Sequence, residues 1–222
     1  MLAGSTGKHI ASAGRLGSGP ALGPQEPMQA TPTSLAALLT RYSVGPKHLV
    51  EPGPSDTQLA LMAQAALRAP DHAELVPYRF KLVRGAAKQG MAALFADAAR
   101  AAGKGEEGAA LDAERALKPP MTVAVVARID PGHPQVPAHE QWAAVGGAIG
   151  SFLTAAHALG FGGKMLSGAK VRNPAIAAAF CEPGETLLGW IALGTPARQP
   201  AGPARKPDPG QVLIDWHPPC KP

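Results

Sequence analysis

Apolar residues recur along this chain at two spacings, and each predicts its own kind of element. Leu35, Leu38 and Leu39 share one helical face, so a first helix is predicted from Thr33 or Ser34. The stretch SDTQ, Ser55 to Gln58, fits a capping box ahead of Leu59, Met62, Ala66 and Leu67, which predicts a second helix. That helix must stop by Ala69, because Pro70 disfavours the helical conformation in the residue before it. RFKLV, from Arg79, reads as a short strand. Two helices are expected over about 86–102 and 106–117, parted by GKG and ended by Pro119-Pro120. MTVAVVAR, Met121 to Arg128, is a valine-rich apolar run, the mark of a strand buried on both faces. A long helix over about 138–159 follows, then GGKMLSG as a strand edge. Asn173-Pro174 starts a further helix, with Asn as cap and Pro in the first turn. TLLGWIALG, Thr186 to Gly194, is another buried strand. Helices and strands are interspersed without a regular βαβ beat, so the fold class expected is α+β.

The long helix raises a membrane question. Trp142 to Gly163 contains no Asp, Glu, Lys or Arg and is long enough to cross a bilayer. It is mostly Ala and Gly, with Ser151, Thr154 and His157 inside, so it reads as a buried helix of a soluble protein. Being apolar all round, it must be covered on all sides by its own core or by a second copy. Its glycines weaken the helix but let another backbone or a flat ligand come close.

Composition narrows the classes. At 222 residues the chain can bury one substantial core. The net charge of +5 is modest and its basic residues are scattered without interleaved aromatics, which argues against nucleic acid. A mild positive field does suit an anionic small ligand. Cys181 and Cys220 have no ligand spacing, and a reducing cytoplasm is the expected compartment. Residues 1–31 are punctuated by Gly, Ser and Pro and are expected to be a disordered extension, with Met28 a possible alternative start. The domain is expected over 32–222, its C-terminal part Pro-rich and extended.

Several familiar motifs are missing. There is no GxSxG, no GxxxxGK followed by Ser or Thr, and no HExxH. LGFGGKMLSG is glycine-rich, but it follows a helix and lacks the spacing of the dinucleotide fingerprint. His133 and His139 have no matching partner for a metal.

What remains is an ordered set of short pieces: RYS (Arg41–Ser43), RAPDH (Arg68–His72), HEQ (His139–Gln141), GFGG with a following SG (Gly160–Gly168), and LGTP (Leu193–Pro196). Arg41 with the Ser43 hydroxyl is a natural pair for a phosphate. A loop carrying Arg68, Asp71 and His72 is either a solvated turn, with Asp71 and His72 capping it, or the rim of a site. In this order and spacing, over Leu35 to Pro196, the pieces resemble the nitroreductase family of FMN-dependent oxidoreductases, in its short single-domain branch.

The resemblance implies a mostly antiparallel sheet flanked by helices, in a homodimer with FMN at the interface and the long Gly/Ala helix as interface element. It implies that Arg41, Tyr42 and Ser43 hold the flavin phosphate and ribityl chain. A second basic residue or His is common in the family where this chain has Tyr42. It implies that Arg68 and His72 face the flavin from the neighbouring loop, and that Met165, Leu166 and Ser167 lie along it. Relatives often carry an aromatic and an arginine where Met165 and Leu166 stand. Ala155, Ala156, His157, Ala158, Leu159 and Gly160 correspond to a nicotinamide-associated segment, although AAHALG also reads as a plain helix end.

The implied activity is hydride transfer from NADH or NADPH to flavin N5, then to an electron-poor acceptor such as a nitroaromatic or a quinone, in ping-pong order. No protein nucleophile is needed. A cation near the flavin would stabilise its reduced form, with Arg68 the first candidate and Lys164 the second. A flavin carrier or sensor without turnover, another flavin subclass on the same fold, and a flavin-free interaction protein stay open at this point.

Overall fold

In the computed structural model, residues 33–198 and 206–218 are described. The expected extension over 1–31 and Cys220 lie outside the described residues.

A five-stranded sheet carries the fold. Its strands are β1 (Leu49–Val50), β2 (Tyr78–Val83), β3 (Met121–Ala127), β4 (Gly162–Leu166) and β5 (Thr186–Pro196). β5 is the spine. It pairs with β3 along one edge and with β4 along the other, β1 pairs with its last residues, and β2 pairs with β3. All four pairings are antiparallel, as expected.

Among the described residues six α-helices accompany the sheet: α1 (Thr33–Thr40), α2 (Asp56–Ala66), α3 (Ala87–Ala101), α4 (Gly105–Leu117), α5 (Ala138–Ala158) and α6 (Pro174–Phe180). On one face Met62, Val145, Ala148 and Phe152 pack against Val123, Val125, Ile191 and Leu193. On the other, Met91, Phe95, Ile176 and Phe180 pack against Ala124, Val126 and Trp190. Successive β3 residues thus feed opposite cores, which is why the strand shows no polar alternation.

The caps fall where the sequence puts them. The Ser55 side chain accepts from the Gln58 N–H, and the Gln58 side chain accepts from the Ser55 N–H, closing the box. Asn173 accepts from the Ile176 N–H at 3.1 Å. α2, however, ends at Ala66, earlier than Pro70 requires. The Arg68 and Ala69 N–H groups donate to the Ala65 and Ala66 carbonyls in a tightened last turn, so Arg68 sits in the turn beyond the helix. Nor does one chain cover α5. Trp142, Ala143, Gly146 and Gly150 are exposed along one side of it. Leu38 and Leu39 of α1 are 58% and 61% exposed. Among the described residues no helix is long and apolar enough to cross a membrane, and no His, Cys, Asp and Glu cluster fit for a metal ion is found.

Candidate functional site

The residues singled out in the sequence gather along α5, some at its C-terminal end and some from its middle to its N-terminal end. At its C-terminal end the RYS segment runs beside β4. Ser43 forms a parallel bridge with Gly163, and the Val44 N–H donates to the Gly163 carbonyl at 3.2 Å. This closeness requires the GFGG glycines. A Cβ on Gly162 would lie 2.9 Å from Val44, and one on Gly163 would lie 2.9 Å from Leu153. Leu166 packs with Tyr42 against Val44, Leu49 and Ala192. Met165 is half-buried, and Ser167 is exposed just before Gly168, whose φ of 125° turns the chain away. Lys164 is exposed, as is the tail residue Lys206.

His157 closes this end of the site. Tyr42 meets it edge-on, ring centroids 5.7 Å apart. Thr40 Oγ1 lies 3.0 Å from His157 Nε2. The Thr40 hydroxyl already donates to the Ala36 carbonyl at 2.7 Å, so the proton between them belongs to His157 Nε2. Burial, and then the Arg41 charge, hold this imidazole below its ordinary pKa. The fold therefore favours neutral His157, while the unfolded chain takes up a proton near pH ~6.5. The stability this contributes is complete above that pH and is lost as the pH falls through it toward the lowered folded value. Urea midpoints measured at about pH 7 and about pH 5 should fall further on acidification in wild type than in His157→Gln. Of the other residues in the stretch 155–160, Ala156 is wholly buried in the core, Ala155 and Leu159 are half-buried, and Ala158 and Gly160 are exposed.

His72 stands at the opposite end of α5, and the turn that carries Arg68 packs against the middle of that helix. A Cβ on Gly147 would lie 3.1 Å from Ala69 Cβ, so this helix glycine lets the RAPDH loop pack closely. Asp71 Oδ2 accepts from the Val76 N–H at 2.7 Å, which makes it a clasp of the turn. His72 does not cap. Its Nδ1 lies 2.8 Å from Glu140 Oε2 in the first turn of α5. Arg68, Asp71, Leu61, Leu67, Val76 and Tyr78 line a groove of about 690 Å³.

The loop between these residues is strained. Ala73, Glu74 and Val76 have φ of 61°, 51° and 47°, a region that residues with a Cβ seldom occupy. Glu74 is exposed, so Glu74→Gly should relieve strain without loss of packing. An increase of about 0.5–1 kcal/mol in unfolding free energy is expected from a denaturant titration.

Glu140 and His157 are separated by about 25 Å of helix at 1.5 Å per residue. One chain therefore assembles Arg41, Tyr42, Ser43, Met165, Leu166 and Ser167 with His157 and leaves His72 far away, while Arg68 lies beside the middle of the helix. Among the described residues, neither Arg41 nor Arg68 has a carboxylate within ion-pair distance, whereas Arg79, Arg84 and Arg100 each do.

A family model described as "Nitroreductase family" matches residues 38–195, a span containing both ends of the site. The chain belongs to the nitroreductase family. Among its relatives is the Escherichia coli K12 protein named "Putative NAD(P)H nitroreductase YdjA", 34% identical over 166 residues, which are 73% of this chain and 88% of that one. The nitroreductase-like family protein from Bacillus cereus shares the fold at a TM-score of 0.68 and 23% identity, over 86% of this chain and 100% of its own. A "putative nitroreductase in complex with FMN" from Desulfovibrio desulfuricans shares it at 0.64 and 20% identity, with the same coverage. In this nitroreductase-family chain, sequence reasoning missed two partner residues. Thr40 is visible only as the last residue of α1. Glu140 stands within HEQ, but nothing in the sequence pairs it with a histidine 68 positions earlier.

Proposed function

We propose that this protein is an FMN-dependent oxidoreductase that takes reducing equivalents from NADH or NADPH and delivers them to a small electron-poor acceptor, such as a nitroaromatic or a quinone. It works as a homodimer in which each site draws on both copies. One observation carries the reading: His72 is held at one end of α5 while Tyr42, next to Arg41, meets His157 at the other, about 25 Å of helix away.

The donor set suits FMN. Arg41 offers a planar guanidinium for a phosphate, and the Ser43 hydroxyl is exposed beside it. Half-buried Met165 and Leu166 offer an apolar edge for a flat ring. Arg68 and His72 of the second copy complete the site. The uncovered side of α5, with Trp142 40% exposed among small residues, is the surface on which two copies can meet closely. Relatives named NAD(P)H nitroreductase and a structural neighbour described with FMN support the same reading. FMN supplies the hydride chemistry when bound. The protein's share is to hold the phosphate at Arg41, to place a cation at the ring through Arg68, and to keep neutral His157 against Tyr42.

The test is the visible spectrum of the purified protein, then anaerobic NADH or NADPH. A flavin spectrum that bleaches is expected. Leu166 is engaged in packing and brings no charge to the site, which favours a second reading as a flavin carrier or sensor. A flavin spectrum that neither nicotinamide bleaches would select it. No spectrum after incubation with FMN would end both readings.

A further inference from the structure

The geometry points to Glu140 as a positioning residue that fixes the tautomer of His72, so that His72 meets its ligand as a hydrogen-bond acceptor and reads a hydroxyl or ring N–H of the flavin, leaving the phosphate to arginine. The inference rests on the FMN reading for the identity of the ligand, and on this chain alone for the state of the histidine.

His72 Nδ1 and Glu140 Oε2 are 2.8 Å apart. An ionised carboxylate only accepts, so Nδ1 carries the proton. In the neutral imidazole Nε2 is then a bare lone pair, and among the described residues it has no hydrogen-bond partner. Such second contacts fix which ring nitrogen is free for a ligand. The carboxylate one residue earlier, Asp71, accepts from the Val76 N–H. Glu140 is held in the first turn of α5, whose entry is pinned next to it. Gln141 is almost fully buried, and its amide donates to the Asp130 and Val136 carbonyls at 2.8 and 2.9 Å. The carboxylate is thus presented from a rigid element.

The other end of α5 supplies a contrast. There His157 donates through Nε2 to Thr40, the opposite tautomer. A bare Nε2 at His72 repels a phosphate oxygen and accepts from a hydroxyl or an N–H. Arg41 and Arg68, which cannot lose their protons, are the anion readers.

The experiment uses full-length apoprotein carrying 15N-histidine, at a pH raised until the nitrogen shifts themselves show both imidazoles neutral. Long-range proton–nitrogen correlations give each tautomer, and His72→Gln and His157→Gln assign the signals. Wild type should show His72 as Nδ1–H and His157 as Nε2–H. Glu140→Gln keeps an acceptor oxygen and should keep Nδ1–H, whereas Glu140→Ala should move the proton to Nε2. In parallel, affinities for FMN and for riboflavin, which lacks the phosphate, are measured by fluorescence quenching. Glu140→Ala should weaken both by the same factor, about 3- to 10-fold, with recovery in Glu140→Gln.

Nε2–H at His72 in wild type, or a tautomer unmoved in Glu140→Ala, would overturn the inference. So would a loss confined to FMN, since His72 would then be acting on the phosphate. If wild type binds neither flavin, the FMN reading falls and takes the ligand half with it, while the spectrum still decides the tautomer.

Discussion

Mixing Arg41→Ala protein with Arg68→Ala protein, each nearly empty of flavin, is expected to restore about a quarter of the sites after subunits exchange. In the proposed site each variant alone loses a charged hydrogen bond, worth about 1.5–3 kcal/mol or roughly 10- to 100-fold in flavin affinity. In a mixed dimer one site inherits both alanines. The other inherits Arg41 from one copy and Arg68 from its partner, and is whole. Half of randomly paired dimers are mixed, which gives the fraction. The readout is flavin bound per chain after a denaturation and refolding cycle, against unmixed controls treated alike. Recovery no greater than the average of the two controls would mean that both arginines serve one site within one chain.

Gly189→Ala is expected to cost about 3–5 kcal/mol of stability, or to abolish folding. Gly189 has a φ of 144°, and a Cβ there would lie 2.0 Å from the Leu166 carbonyl oxygen. The register of β3 against β5 shifts beside it, with Val125 opposite Gly189 but Val126 opposite Leu187. This bulge bends β5 under the end of β4. An alanine would have to push Leu166 away, and Met165 and Ser167 with it, so any folded remainder should also bind flavin poorly. Thermal unfolding followed by circular dichroism gives the first quantity and flavin titration the second. A variant within about 1 kcal/mol of wild type would show that the strand can flatten at little cost.

This bulge marks a boundary of what the sequence discloses. TLLGWIALG reads as a buried strand and is one, because its apolar residues feed both cores. Gly189 within it is the signal of a bulge or a close approach, and it is easily passed over in so apolar a run. The capping residues Ser55 and Asn173 are legible because their chemistry is local. The left-handed residues Ala73, Glu74 and Val76 are not, because none of those types prefers that conformation. Their geometry is imposed by the Asp71 clasp and the packing of Ala69 on Gly147. The site is legible as a set of pieces, but its division is not. Chain order puts Arg41 and Arg68 only 27 positions apart, while the tertiary structure sets Arg41 beside the C-terminal end of α5 and the Arg68 turn against its middle.

That division has a genetic consequence. In the proposed homodimer each copy contributes a different half to each of two sites. A chain damaged at one end still leaves one whole site when paired with an intact chain. A chain damaged at both Arg41 and Arg68 leaves none, because it spoils one site with each end. When mutant and intact chains are made together, the single lesions should therefore behave as partial losses. The double lesion should behave as a dominant poison, silencing every mixed pair that it enters.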